Sequence, residues 1–202
     1  MRGKLICFEG IDGSGKETQV KLILRFLKRR GASVYKYPDA RGSFGKIIDS
    51  FLKRKIELSP LSQFFIYMLD IAKDQEEIGR KLERGEVVLL DRYVFSTIAY
   101  QCSKGISFER GVEIIERMNF IKPDLVLLLD ISPGVSVSRK GKQKKMDRHE
   151  SDEELLGRVR GNYIKLFKRK FLARKWVKVD GEGKPEEVFE KVKGFIAPLL
   201  KE

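Results

Sequence analysis

The sequence predicts an α/β fold in which a five-stranded parallel sheet lies between two layers of helices. Three observations predict it: five short apolar runs recur along the chain, helical segments separate them, and a glycine-rich loop follows the first run. Continuous apolar runs indicate strands that are buried on both faces, as in parallel sheets covered by helices. With 202 residues, the chain is expected to form a single domain over residues 1–202.

The elements follow from the spacing of apolar residues along the chain. The predicted strands span residues 5–8, 33–37, 87–90, 125–129 and 176–179. The predicted helices span residues 16–30, 43–54, 60–84, 94–104, 107–120, 133–143, 151–171 and 184–200. Gly31 is expected to end the first helix. In such a sheet, ligands bind beyond the carboxyl ends of the strands.

The loop after the first strand matches a phosphate-binding motif with one exception. Gly10, Gly15 and Lys16 fit the pattern of Gly, four residues, and then Gly-Lys-Ser/Thr. The next position holds Glu17, where the motif has a hydroxyl residue that ligates magnesium. Backbone N–H groups and the N-terminus of a helix converge at such a loop. We therefore expect this loop to bind phosphate.

The amino-acid composition limits the kinds of protein that this chain can form. Lys and Arg outnumber Asp and Glu by 42 to 29, which suits a protein that binds polyphosphate or nucleic acid, and also suits the charge-rich surface of a thermophilic protein. Cys7 and Cys102 lack the spacing of a metal site, so we expect reduced thiols. No stretch approaches the ~20 apolar residues of a membrane helix. These features predict a soluble, cytoplasmic protein.

A second group of functional side chains follows the third predicted strand. Asp91 and Arg92 come directly after the apolar run 87–90. An Asp that ends a strand opposite a phosphate loop can bind magnesium, directly or through water, and an adjacent Arg can hold phosphate. Taken alone, the pair is also compatible with an ordinary ion-paired strand terminus.

The residues around this pair carry a resemblance to a known family. Segment 91–101, which begins Asp91-Arg92-Tyr93 and ends Ala99-Tyr100-Gln101, resembles the signature of thymidylate kinases, and segment 8–16 is similar to their phosphate loop. The resemblance extends through segments 37–39, 147–150 and 179–181. It implies a three-layer P-loop NTPase fold of the nucleoside monophosphate kinase type, with a short lid at about 133–150, usually in a homodimer.

The resemblance also implies the reaction and the roles of its residues. Thymidylate kinases transfer the γ-phosphoryl group of ATP to dTMP, giving dTDP and ADP for dTTP biosynthesis, with Mg²⁺ bound to ATP. The implied catalytic residues are Asp12, Lys16, Arg92 and Arg139. The implied ATP-binding residues are Gly10, Ile11, Asp12, Gly13, Ser14, Gly15, Lys16, Glu17 and Thr18. The implied dTMP-binding residues are Asp12, Arg41, Tyr67, Arg92, Thr97 and Tyr100. The implied metal-binding residues are Asp91 and Glu17, directly or through water.

The basic run 139–145 falls where the family has its lid. Family members with Gly after the loop Asp, as at Gly13, carry the catalytic cation in the lid. We therefore expect Arg139 to supply this cation, with Lys142 or Lys144 as the next candidates. Alternative interpretations of the run are a solvated helix face and a nucleic-acid patch.

Three positions depart from the family pattern. The aromatic residue that stacks on thymine is present as Tyr67, whereas the Arg one helical turn later is replaced by Ile71. Ala40 stands where the family has an Arg, and Arg41 follows one place late. Glu17 is the third departure, for which Thr18 is a possible substitute. These changes leave two alternatives open: a related deoxynucleoside monophosphate kinase with altered base preference, and a catalytically impaired homologue that binds nucleotide or nucleic acid. We expect ATP and dTMP as partners, without a stable nucleic-acid partner or a membrane.

Overall fold

Five parallel strands form one sheet in the order β2-β3-β1-β4-β5. The structure is a computed structural model that describes residues 2–27, 31–141 and 152–201. The strands are β1 (Leu5–Glu9), β2 (Ala32–Lys36), β3 (Val87–Asp91), β4 (Leu125–Asp130) and β5 (Trp176–Asp180). Each predicted strand is confirmed, with small differences at its ends.

The helices lie between the strands along the chain. They are α1 (Lys16–Phe26), α2 (Ser43–Leu52), α3 (Pro60–Ala72), α4 (Gln75–Glu83), α5 (Val94–Gln101), α6 (Phe108–Arg117), α7 (Pro133–Gly141), α8 (Glu153–Arg169) and α9 (Pro185–Leu199). Within the described ranges, no helix has both the length and the apolar character that a membrane span needs.

The prediction of one continuous helix over residues 60–84 is wrong, because the chain turns at Lys73 and Asp74 between α3 and α4. The apolar spacing did not reveal this break, because Ile71 before it and Ile78 after it are both buried and lie in phase. The side chains of Lys73 and Asp74 at the turn instead contact Asp39 and Tyr37 in the loop after β2.

The core lies on both faces of the sheet, as predicted for parallel strands. Every residue of β1 is buried, and its side chains alternate between the two faces. On one face, Ile6 and Phe8 belong to a cluster with residues of α1 and α9. On the other face, Leu5 and Cys7 pack with residues of α3, α5 and α8. This burial holds β1 rigidly, so the loop that follows it starts from a fixed point.

The strand order places the two predicted motifs side by side. β1 pairs with both β3 and β4, and Phe8 of β1 lies in register with Asp91 of β3. The loop after β1 therefore lies beside the turn that carries Arg92. This arrangement gathers the functional side chains at the carboxyl end of the sheet.

Candidate active site

The phosphate loop has a backbone that glycine alone fits at its first position. Gly10 has a φ of 145°, and a Cβ built there would lie 2.4 Å from the carbonyl oxygen of Leu129. The loop then leads directly into α1, which begins at Lys16. The Lys16 ammonium donates to the carbonyl oxygens of Gly10 and Ile11, both at 2.9 Å, and to the Ser14 hydroxyl at 3.2 Å. These hydrogen bonds hold the loop around the Lys16 side chain.

Burial changes the acid–base behaviour of Lys16. Desolvation, with a smaller contribution from the charge of Arg92, lowers its pKa from 10.5 to about 8, although Asp12 and Asp91 oppose the shift. A buried cation without a full complement of counter-charges favours the arrival of an anion. The loop is therefore electrostatically suited to an anion such as phosphate.

Asp12 of the loop forms an ion pair with Arg92. The Arg92 Nη2 donates to the Asp12 Oδ1, and the Tyr100 hydroxyl donates to the Asp12 Oδ2 at 2.7 Å. Burial raises the pKa of Asp12, but the charges of Arg92 and Lys16 outweigh this effect, and the net result is a pKa of about 2. Asp12 is therefore a carboxylate at neutral pH.

Arg92 is held in place by its backbone and its side chain. Its φ of 73° lies in the left-handed region, where a non-glycine residue is strained. Its Nη1 donates to the Gly10 carbonyl at 3.3 Å and to the Ser96 hydroxyl at 3.2 Å, and its guanidinium lies 5.2 Å from the centre of the Tyr100 ring. Strain of this kind is typical of functional sites, where neighbouring contacts fix a side chain in a required position.

Glu9, the last residue of β1, stabilises the same region through hydrogen bonds. Its buried carboxylate accepts from the Tyr93 N–H at 2.8 Å, the Ser96 hydroxyl at 2.7 Å and the Tyr163 hydroxyl at 2.9 Å. Burial raises its pKa, although the charge of Arg92 and these hydrogen bonds oppose the rise. Nothing in the sequence distinguishes Tyr163 from an ordinary core residue, because it lies on the apolar face of an amphipathic helix.

Two cavities meet at the Asp12–Arg92 pair. The larger has a volume of about 570 Å³ and is here called the loop cavity. In addition to loop residues 12–18, it is lined by Gln19, Lys21, Lys36, Asp91, Arg92, Arg139, Lys140, Gly181, Gly183, Pro185 and Val188. The smaller, about 100 Å³, is here called the tyrosine cavity; it is lined by Asp12, Tyr37, Pro38, Leu52, Tyr67, Ile71, Arg92, Tyr93, Ser96, Thr97, Tyr100 and Gln101. Asp12 and Arg92 line both.

Glu17 is engaged by two lysines in the loop cavity. Its carboxylate accepts from Lys21 at 2.6 Å and from Lys36 at 2.7 Å, and these hydrogen bonds lower its pKa to about 2. Asp91, by contrast, is buried at the end of β3, and its side chain also lines this cavity. Metal binding by Glu17 would require it to give up a lysine, so Asp91 is the better candidate of the two. Thr18 is exposed on the same cavity wall.

Arg139 reaches the phosphate loop from α7. Its Nη1 donates to the carbonyl oxygens of Gly13 at 3.1 Å and Gly181 at 3.0 Å, and its Nη2 donates to the Glu182 carbonyl at 2.9 Å. The guanidinium thus ties the loop to the segment after β5 and borders the loop cavity. Lys142 and Lys144, the other predicted lid cations, lie outside the described residues, as does segment 147–150.

The tyrosine cavity brings together side chains of α3 and α5. Tyr67 and Ile71, one helical turn apart on α3, both line it. Across from them lie Thr97, Tyr100 and Gln101 of α5. Gln101 is 1% exposed, and its Oε1 has no hydrogen-bond partner within the described residues. A buried amide oxygen without a partner favours a ligand that donates an N–H. In the sequence, Gln101 is recognisable only as the last residue of segment 91–101.

Arg41 lines neither of these cavities. Its side chain is exposed, its backbone N–H donates to the Asp39 Oδ1 at 3.1 Å, and it is absent from the residues that line either cavity. A role for Arg41 in binding the acceptor phosphate stays a prediction. The neighbouring Ala40 is exposed as well.

The fold and the site together define a P-loop kinase of the nucleoside monophosphate kinase type. A phosphate loop with a buried lysine lies beside a second cavity, and one arginine lines both cavities. A family model described as thymidylate kinase matches residues 8–192 of the chain. The chain belongs to the thymidylate kinase family.

Individual relatives agree with this assignment. The chain is 37% identical to the thymidylate kinase of Caldicellulosiruptor saccharolyticus, over 100% of this chain and 99% of that protein. It is 33% identical to the thymidylate kinase of Carboxydothermus hydrogenoformans, over 98% of this chain and 99% of that protein. A solved thymidylate kinase structure from Candida albicans superposes with a TM-score of 0.79 at 24% identity, covering 98% of this chain and 92% of that one, which supports the fold.

Proposed function

We propose that this protein, as a single domain, transfers the γ-phosphoryl group of ATP to dTMP, giving dTDP and ADP for dTTP biosynthesis. The observation that carries the proposal is that Asp12 and Arg92 line both cavities. Phosphoryl transfer between two nucleotides requires two anionic phosphates to be held in line with a cation between them. An arginine shared by two adjoining cavities meets that requirement.

The loop cavity is the proposed site of ATP. Loop residues 10–18 supply backbone N–H groups, and Lys16 supplies a cation at the β- and γ-phosphates. Arg139 and Lys140 border the same cavity and add positive charge as the phosphoryl group moves. We assign the catalytic role to Arg139, and the role requires its guanidinium to exchange at least one of its backbone carbonyl partners for a phosphate oxygen.

Mg²⁺ is the proposed cofactor, and the chemistry of this cavity fits it. Mg²⁺ in kinases is bound by one or two carboxylates together with substrate phosphates and water. Asp91 is a buried carboxylate at the cavity wall, opposite the phosphate loop. A bound Mg²⁺ would neutralise part of the charge on the transferred phosphoryl group. Asp91 would hold it directly or through water.

The tyrosine cavity is the proposed site of dTMP. Tyr67 would stack on the base, Thr97 and Gln101 would bind its edge, and Tyr100 would crowd the sugar 2′ position in favour of deoxyribose. Arg92 would bind the acceptor phosphate, and Asp12 the sugar hydroxyl or a bound water. Ile71 makes the wall beside Tyr67 apolar.

A comparison of acceptor nucleotides tests this function. We expect ATP and Mg²⁺ to support turnover with dTMP at a kcat/KM higher than with dUMP, dCMP, dGMP or dAMP, because the small cavity favours a pyrimidine over a purine and its apolar wall at Ile71 favours the thymine methyl group. The rates are measured side by side with a coupled assay for ADP. Equal rates with all five acceptors would contradict the assignment of dTMP, and DNA binding without kinase activity would contradict catalysis.

We also propose that the protein is a cytoplasmic homodimer. Its α3 helix carries Leu61, Phe65 and Leu69 at one-turn spacing, with 44%, 44% and 46% of each exposed. An apolar stripe of this kind on a helix is typical of a surface that a second protein covers. The occupant we assign is a second copy of this chain. Free thiols at Cys7 and Cys102 are compatible with the reducing cytoplasm.

The substitution Phe65→Glu is expected to convert this dimer to monomer, because it places a charge within the apolar stripe. Sedimentation velocity over a range of concentrations measures the change. Phe195→Glu on α9 is the matched control, because Phe195 is also exposed, at 38%, but lies on the helix that covers the other face of the sheet. A monomeric wild type, or dissociation by Phe195→Glu alone, would contradict the proposal.

A further inference from the structure

Lys73 lies at the centre of three carboxylates at the junction of α3 and α4. Its ammonium is 2.6 Å from the Asp74 Oδ2, 3.3 Å from the Asp39 Oδ2 and 3.5 Å from the Asp70 Oδ1. It also lies 5.4 Å from the centre of the Tyr37 ring. Asp39 and Tyr37 belong to the loop after β2, whereas Asp70 and Asp74 belong to the α3–α4 region. Lys73 therefore bridges two parts of the fold that are distant in sequence.

The positive charge of Lys73 compensates the negative charges of these carboxylates. The Asp70 side chain is 1% exposed, and its Oδ2 accepts from the Asp39 N–H at 2.8 Å. Burial raises the pKa of Asp70, and the positive charge of Lys73 opposes that rise. Burial lowers the pKa of Lys73, but its hydrogen bond to Asp74 and the charge of Asp70 outweigh this and raise it overall. Lys73 therefore remains charged at neutral pH and compensates a buried carboxylate.

The loop that Lys73 holds is also a wall of the tyrosine cavity. Tyr37 and Pro38 line that cavity, and the Tyr37 hydroxyl donates to the Asp74 Oδ2 at 3.0 Å. Lys73 does not line it; its ammonium contacts the loop and the α3–α4 junction from outside. Without this cation, the Asp39, Asp70 and Asp74 carboxylates would repel one another, because their shared counter-charge is gone. The loop would then move relative to α3, and the cavity wall would move with it.

We propose that Lys73 is a positioning residue that fixes segment 37–39 against α3 and thereby sets the shape of the acceptor site. This inference rests on the proposed function in one respect, the assignment of the tyrosine cavity to the acceptor nucleotide. The loop cavity, where ATP is assigned, does not include Tyr37, Pro38 or Lys73. The effect of Lys73 is therefore specific to the acceptor.

The substitution Lys73→Met tests the inference by steady-state kinetics. We expect the KM for dTMP to rise about tenfold, because a wall displaced by a fraction of an ångström weakens binding, while kcat and the KM for ATP stay within about twofold. Lys73→Arg should restore most of the affinity, because it returns the charge. Lys53→Met is the matched control, since Lys53 is exposed and pairs only with Asp49 among the described residues. Equal losses in kcat and in both KM values would overturn the proposal.

Two further measurements keep the test decisive if Lys73→Met folds poorly or if the acceptor is not dTMP. The double variant Lys73→Met/Asp70→Asn removes the uncompensated buried charge yet still lacks the bridge, so its KM for the acceptor should remain raised. Amide hydrogen exchange needs no substrate: the Asp39 N–H should lose protection in Lys73→Met, whereas β1 amides should not. Unchanged protection at Asp39 would overturn the positioning role. Absence of wild-type activity with dTMP would refute the proposed function alone.

Discussion

Replacing Arg92 with Met is expected to lower kcat/KM for phosphoryl transfer by about 10³-fold or more. Arg92 lines both cavities, and under the proposed function it would bind the acceptor phosphate beside the donor loop. Its geometry is set by the Gly10 carbonyl, the Ser96 hydroxyl and the Tyr100 ring. A neutral side chain of similar length keeps the packing but removes both the charge and the directed N–H donors.

The measurement is steady-state kinetics together with a thermal melt. Breaking the ion pair leaves the partly buried Asp12 carboxylate without its cationic partner, so a lower melting temperature is also expected, and activity is compared below the transition. Arg92→Lys should recover only a small part of the activity, because a single ammonium cannot reproduce the forked contacts of the guanidinium. Arg110→Met on α6 is the control, because Arg110 is exposed and distant from both cavities. Activity within tenfold of wild type in Arg92→Met would contradict the shared-arginine mechanism.

Replacing Lys16 with Met is expected to lower kcat/KM by about 10³-fold, because the loop loses the cation that we propose binds the β- and γ-phosphates. The free enzyme also loses the lysine that closes the loop on the Gly10 and Ile11 carbonyls. The affinity for ADP, measured by calorimetry, should therefore fall together with the rate. An ADP affinity equal to that of wild type would show that Lys16 does not bind phosphate in the complex.

The pH dependence gives a second test of Lys16. Its pKa of about 8 in the free enzyme means that it loses its proton as the pH rises through that value. Phosphate binds the charged form better, so the Kd for ADP should rise above pH about 8 and level off below it, with proton uptake on binding. In Lys16→Met this dependence should be lost. An identical pH profile in wild type and variant would assign the proton to another group.

The fold was largely predictable because its physical causes are local. Apolar runs mark the strands, and the glycine-rich loop marks the carboxyl end of the sheet. The break between α3 and α4 was not predictable from apolar spacing, because Ile71 and Ile78 lie on one continuous face. Its cause is the set of contacts that Lys73 and Asp74 make with Asp39 and Tyr37, which lie far away in the sequence.

The site was predictable where a motif carries its own geometry, as at Lys16, Asp12 and Arg92. It was less predictable where partners come from distant elements. The hydrogen bond of Tyr163 to Glu9 joins α8 to β1, and only the folded chain brings them together. Arg139 was predicted as a cation, but its three backbone carbonyl partners follow from how α7 lies against the loop. The buried amide oxygen of Gln101, which has no hydrogen-bond partner among the described residues, is likewise recognised only in the folded chain.

The wall that the two cavities share at Asp12 and Arg92 has a thermodynamic consequence for the binding of the two proposed substrates. Each phosphate that binds changes the field at this pair, so the free energy of binding at one cavity depends on occupancy of the other. Linkage requires the coupling to be reciprocal: the factor by which bound acceptor changes the donor's affinity equals the factor by which bound donor changes the acceptor's. The Arg92 guanidinium between two polyanions would reduce their mutual repulsion, whereas the Asp12 carboxylate with which it pairs would oppose that effect. Under the proposed function, the pair would therefore influence the cooperativity of ternary-complex formation as well as the position of the acceptor phosphate.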